Sequence, residues 1–396
     1  MPKLPWTPWH NVVELRPDLK SGELTLQMFA ANLYEVAAHP NPASIYSSPA
    51  EFFALTYPTY NMRELAKDIA LRLAGKSGKA VRKLALTYGG GKTHTLITLY
   101  HLFNDPAALP DLPAVAEFRN HIGFAPPKAR VAALTFDYLD VEMGMQVRGH
   151  GGETRVFKYP WSILAYQLGG DEGLRALGSE ERDTPPATNV LEKLLRMPAE
   201  SGQATLVLMD EVLTWSRTKV GQNQVWMDRI QDFFQFLTQA ATTVPTCAVV
   251  VSLLSSRPHD DLGIGQEVAA KIEAVLQREK EPDLQPVLKE DVAEVLRRRL
   301  FTPASVRDRE SFRQHVVAAL DGIKRLDDQV RKEGKAAEER FLDSYPFHPD
   351  LTDVFYSKWV QIDNFQRTRG VLRVFAMALR AAEQWDESPL VSINVF

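Results

Sequence analysis

Hydrophobic positions follow two different periods along the chain. Over residues 1–80 they recur at helical spacing between proline-marked turns. Leu24, Met28, Ala31, Leu33 and Val36 predict a helix over 24–37 behind Ser21-Gly22-Glu23, and Leu65, Ile69 and Leu73 predict another over 62–73. An aromatic stretch lies between them: Phe52, Phe53, Tyr57 and Tyr60. From Val81 the pattern changes to short apolar runs: 81–87, VAALTF at 131–136, LVLM at 206–209 and AVVVSLL at 248–254. Helical stretches separate them, at 92–103, around 161–168, and at 225–237 with Trp226, Ile230, Phe233, Phe234 and Leu237 on one side. Short apolar strands alternating with helices predict a parallel sheet covered on both faces. After Arg257 the strands stop, and 292–301, 309–320, 327–342 and 370–382 read as helices. The expected organisation is a helical segment at 1–80, an α/β core at 81–260 with an insertion at 140–200, and a helical lid at 261–396.

Composition narrows the class. Of 396 residues, 45% are hydrophobic and 24% charged, the balance of a folded globular protein and not of a disordered or collagen-like one. The net charge of −4 excludes a uniformly basic surface but not a local basic patch. One cysteine, Cys247, forbids an intrachain disulfide and reads as a small buried apolar residue. The opening residues MPKLPWTPWH lack the apolar core of a secretory signal, and no run reaches the ~20 apolar residues of a membrane helix. The expectation is a cytoplasmic protein with no membrane partner.

The segment LALTYGGGKTHTLITLYHLF at 84–103 carries the sharpest chemistry. Gly91-Lys92-Thr93 matches the end of the phosphate-loop pattern G-x-x-x-x-G-K-[ST]. Gly89, Gly90 and Gly91 allow backbone N–H groups to curl around phosphate oxygens, and the following helix offers its positive N-terminus to the same anion. Lys92 is expected to reach the β- and γ-phosphates of ATP, Thr93 to complete a Mg²⁺ shell, and His94 to make a local contact. The pattern's first glycine is replaced by Leu86.

A phosphate loop needs an acidic partner at the tip of a neighbouring strand. TLVLMDE at 205–211 supplies Asp210 for magnesium and Glu211 to polarise an attacking water. The strand at 248–254 is expected beside these two, with Ser252, Ser255 or Ser256 sensing the γ-phosphate. His94 and His101 share a helix face without a carboxylate or cysteine cluster, so a metal site there is not favoured. The aromatic residues Phe52 to Tyr60 suit either adenine stacking or core packing. His348-Pro349-Asp350 reads as a helix start.

In the helical region, Gly370-x-x-Arg373 resembles the second sensor motif of AAA+ ATPases, which implies that Arg373 touches the γ-phosphate. EDVAEVLRRRLF at 290–301 resembles the first lid helix, with Arg297 to Arg299 a basic run. Arg257, Arg278, Arg367 and Arg369 are weaker candidates for contact with a neighbouring subunit or acidic partner. Taken together, GGGKTHTLITLYHL, LMDEV, YPFHPDLTDVFYSKW and FQRTRGVLR resemble the large ATPases of bacterial phage-defence islands: the PglY-type proteins of BREX systems and relatives carrying the DUF499 signature. WHNVVELRPDLKSGELTLQMFAANL and TYPTYNMRELAKDIALRLAG are similar to the same family, so the likeness spans residues 6–385. The resemblance implies an origin-recognition-like AAA+ P-loop NTPase core, homo-oligomers or assembly with other defence proteins, and work on or beside DNA. Family chains continue past the lid, which implies that this one is a short form or a truncated product.

Two functions from different classes follow. One is an ATP-hydrolysing motor or switch of an antiviral DNA-associated complex; Glu211 favours it. The other is a nucleotide-gated scaffold that binds ATP with little turnover; Leu86 and the serine sensor favour that. A small-molecule kinase lacks an evident acceptor pocket.

Overall fold

A computed structural model describes residues 6–42, 44–84, 91–253, 263–277, 284–357 and 367–396. The chain divides into two compact units. One comprises Ala31–Phe52 and Pro58–Pro286; the other comprises Met1–Ala30, Phe53–Tyr57 and Val287–Phe396. This differs from the expected division at 80 and 260. The first thirty residues belong with the C-terminal helices, and the residues up to 286 belong with the sheet. Helical periodicity marks which face of a segment is buried but not what it is buried against.

The larger unit is built on a four-stranded parallel sheet: β1 (Val81–Leu84), β2 (Ala129–Thr135), β5 (Ala204–Asp210) and β6 (Cys247–Ser252), in the order β1-β6-β5-β2. Every residue of β5 and β6 is buried, which explains why these strands read as unbroken apolar runs. The helix Lys92–Asn104 packs on β2, β5 and β6, and the helix Val225–Thr243 packs on β6 and β1. The latter buries Trp226, Ile230, Phe233, Phe234 and Leu237, as its spacing predicts.

Both sheet edges are covered. On β1, Leu284 N donates to Lys83 O at 3.2 Å in a parallel bridge. On β2, Ala133 N donates to Gln167 Oε1 at 3.0 Å, and Arg130 Nη1 to Leu168 O at 2.7 Å. One edge group of β1 is thereby satisfied by a backbone N–H and one of β2 by a side chain, which blunts both edges. Gln167 and Leu168 lie on the helix Pro160–Leu177, which bends at Gly170 (φ 56°, ψ −137°). Arg72 fastens the opposite end of the sheet. Its buried guanidinium donates to the carbonyls of Ser77, Ala241, Val244 and Cys247 at 2.7–2.9 Å, and to Thr242 O at 3.2 Å.

The expected insertion contains a hairpin that the sequence reading passed over, β3 (Met145–Arg148) paired antiparallel with β4 (Thr154–Phe157). Met145 and Val147 are buried while Gln146 and Arg148 are exposed, an alternation visible in MQVR. The predicted helix at 24–37 is broken. A 3₁₀ turn covers Leu26–Phe29, and Asn32 then caps a short helix, Leu33–Ala37, its Oδ1 accepting from Tyr34 N at 3.0 Å. The predicted helix at 327–342 is likewise split, at Gly334 with φ 58°.

In the smaller unit the N-terminal segment is pinned by specific bonds. Trp9 Nε1 donates to Asp386 Oδ2 at 3.0 Å, and Arg16 Nη1 to Arg299 O at 2.8 Å. The run at 297–299 is not a basic surface. Arg297 is 2% exposed, pairs with Glu294, and donates to Tyr345 O at 2.6 Å and Asp343 O at 2.5 Å. Arg299 is also buried.

Candidate functional site

Gly91 opens the site. It caps the helix Lys92–Asn104 with φ 64°, a conformation that glycine adopts without a Cβ penalty. Its carbonyl accepts from Thr95 N at 2.8 Å and Thr95 Oγ1 at 2.9 Å, which anchors the helix start. Gly89, Gly90, Leu86, Ser255, Ser256, Arg257 and Arg278 lie outside the described residues.

The strands supply the rest. Leu84 pairs with Ser252 and Met209 with Val251, so β1, β6 and β5 end nearly level. Val212 N also reaches Ser252 O at 3.4 Å. The carboxyl ends of a parallel sheet form the crevice in which open α/β folds bind ligands. Here that crevice receives Asp210 from β5, Ser252 from β6 and Thr93 from the adjoining helix. The sequence expectation that the third strand lies beside the other two is met, with β6 between them.

Asp210 is buried, and burial pushes its carboxyl pKa above the ordinary value. The Thr93 and Ser252 hydroxyls beside the carboxylate, the Lys92 charge and the Glu211 N–H all oppose that rise. Glu211 N donates to Asp210 Oδ1 at 3.1 Å. Ser252 Oγ is turned toward Asp210 but makes no hydrogen bond of good geometry, and it is fully buried. The structure thus brings Thr93, Asp210 and Ser252 together, with the Lys92 charge nearby.

Glu211 follows immediately, half-buried, with φ 52°. Among the described residues it is the one non-glycine with positive φ. Such backbone costs on the order of 1 kcal/mol or more and persists only where surrounding contacts impose it. Here the next residues must leave the sheet at once to begin the helix Leu213–Gln222. No sequence pattern announces that strain.

His94 and His101 sit elsewhere than in a metal cluster. The His94 ring lies 4.5 Å from Phe52, and His101 Nε2 bonds Tyr46 O at 2.8 Å. Phe52 is buried against both histidines and belongs to the core, so packing accounts for it and adenine stacking does not. Arg373 lies in the smaller unit, where its Nε donates to Leu24 O at 2.6 Å. Arg367 and Arg369 lie on the same helix, Arg367–Ala382. Cys247 is buried, and burial pushes its thiol up to about 12, far from a reactive thiolate.

The Asp210 carboxylate and the Thr93 hydroxyl are oxygen ligands of the kind that fits a hard cation such as magnesium, and the orphaned Ser252 hydroxyl beside them is left to bond an oxygen of a ligand.

Two family matches cover most of the chain. Residues 10–279 match the DUF499 N-terminal domain, and residues 288–393 match the DUF499 second domain. No curated protein matches it. The boundary between the two domains falls close to the division between the two compact units at Pro286 and Val287. No described helix is long and apolar enough to cross a membrane.

Proposed function

The chain belongs to the DUF499 family, and from that premise we propose that it binds ATP with magnesium and hydrolyses it. One observation carries the reading: the buried carboxylate of Asp210, at the end of a central strand, faces Thr93 in the first turn of a helix that opens on a glycine with positive φ. A glycine loop and helix N-terminus alone suit any anion. A desolvated carboxylate beside that same helix start favours an anion that arrives with a cation.

The residues then divide the work. The Lys92 amine holds the phosphate end, as a point charge beside backbone N–H donors. Thr93 and Asp210 would hold magnesium, which when bound supplies neutralising charge on the phosphate oxygens. Glu211 accepts a proton from, and orients, the attacking water. Ser252, on the strand beside Asp210's, is placed to bond the terminal phosphate. Arg373 is left out of the proposal, because Leu24 O already engages it.

The resemblance to AAA+ proteins of phage-defence systems extends the proposal to context: an oligomeric motor or switch in an antiviral complex on or beside DNA. Binding of a fluorescent ATP analogue tests the first step. Magnesium-dependent binding that Lys92→Ala abolishes supports it; undiminished binding by that variant means that another loop holds the phosphates.

A further inference from the structure

The turn that carries Glu211 holds a second hydroxyl with no evident employment. Thr214 lies in the first turn of the helix Leu213–Gln222, its backbone N donating to Glu211 O at 3.0 Å. Its Oγ1 is buried and bonds nothing. Buried hydroxyls ordinarily find a partner, and one left without costs about 1–3 kcal/mol.

Several other helical hydroxyls in this unit donate to a carbonyl one turn back: Thr95, Thr98, Ser216, Thr218 and Thr242 to the one four residues back at 2.8–3.1 Å, and Thr238 to the one three residues back at 2.9 Å. Thr214 makes neither bond. The carbonyl four residues back is that of Asp210, which is still in the sheet and accepts from Phe136 N at 3.0 Å. The strained residue Glu211 separates strand from helix so abruptly that the first-turn hydroxyl finds no back-bonding partner. Helical side chains lean toward the helix start, which directs Thr214 over the Glu211 turn.

We propose that Thr214 is a positioning residue for hydrolysis: with nucleotide bound, its hydroxyl donates to the Glu211 carboxylate, a bond it does not make in this structure, and holds it in the orientation that activates water. The assignment rests on the hydrolase reading above.

The test compares wild type, Thr214→Val, Thr214→Ser and Glu211→Gln in magnesium-dependent ATP turnover and thermal unfolding. The expected result for Thr214→Val is a kcat about 10- to 100-fold lower, the size of effect seen when an orienting partner is lost. KM should be unchanged and Tm unchanged or higher, because the orphaned hydroxyl is gone. Thr214→Ser should keep most of the rate. A fully active Thr214→Val beside an inactive Glu211→Gln overturns the role of Thr214 and leaves the hydrolase reading standing. A lowered Tm with KM and kcat both disturbed, not rescued by serine, overturns it in favour of a packing role. Wild-type turnover no higher than that of Glu211→Gln overturns the hydrolase reading itself, and this inference with it.

Discussion

The Thr93 hydroxyl stands beside the buried carboxylate of Asp210, so the first turn after the glycine loop meets the tip of a central strand. That closeness brings two sequence signals into one site. Burial holds the Asp210 carboxyl above its ordinary pKa, and the polar groups around it offset that only in part.

A pH-dependent stability follows. An acid whose pKa is raised by folding binds its proton more tightly in the folded state. Its contribution is therefore lost as pH rises from the unfolded value through the folded one. At neutral pH the carboxylate burdens the fold. Asp210→Asn should raise the Tm of nucleotide-free protein at neutral pH, and the gain should shrink as pH falls toward 4, near the ordinary aspartate value. A lower Tm at neutral pH would show that the hydrogen bonds already outweigh the burial.

Arg72 makes a purely structural prediction. Its removal takes a donor from the carbonyls of Ser77, Ala241, Val244 and Cys247. Arg72→Met should cost about 3–5 kcal/mol, read as a lower urea midpoint at unchanged slope. A loss below 1 kcal/mol would mean that water replaces the guanidinium.

Gly173 makes another. A Cβ there would stand 2.0 Å from the Ala165 carbonyl oxygen, a backbone atom that cannot swing aside. Gly173→Ala should cost about 1–3 kcal/mol even though alanine favours helix, because the bend at Gly170 presses the two halves of this helix together. A stabilised variant would show that the bend relaxes freely.

These cases show how much the sequence discloses. The strands were legible because a sheet covered on both faces leaves unbroken apolar runs, and β5 and β6 are buried along their whole length. The residues that meet at the strand ends, Thr93, Asp210 and Ser252, could be named beforehand because phosphate-loop chemistry constrains their types. The order of strands was only half legible: an adjacent third strand was expected, but not that β6 lies between β1 and β5. The allegiance of the first thirty residues was not legible at all. It depends on Trp9 meeting Asp386 and Leu15 meeting Phe301, contacts between distant residues that leave no local period. The basic run at 297–299 misled for a related reason, since composition counts charge and Arg297 is buried among carbonyls and Glu294. The strain at Glu211 is a property of backbone alone, so no side-chain pattern records it.

Glu211 gives the sharpest functional prediction. Glu211→Gln keeps the size and polarity of the side chain but removes its basicity. Nucleotide binding should survive while turnover falls about 10²- to 10⁴-fold, the range for a lost general base. Equal loss of binding and turnover would instead assign Glu211 to holding the nucleotide.

The central claim is hydrolysis at this strand end, and steady-state release of inorganic phosphate from ATP tests it most directly, with and without magnesium and with and without DNA. The account predicts magnesium-dependent turnover by the wild type that Lys92→Ala and Glu211→Gln each abolish. Intact ATP binding with no phosphate released under any condition would contradict it and leave a nucleotide-gated scaffold in its place.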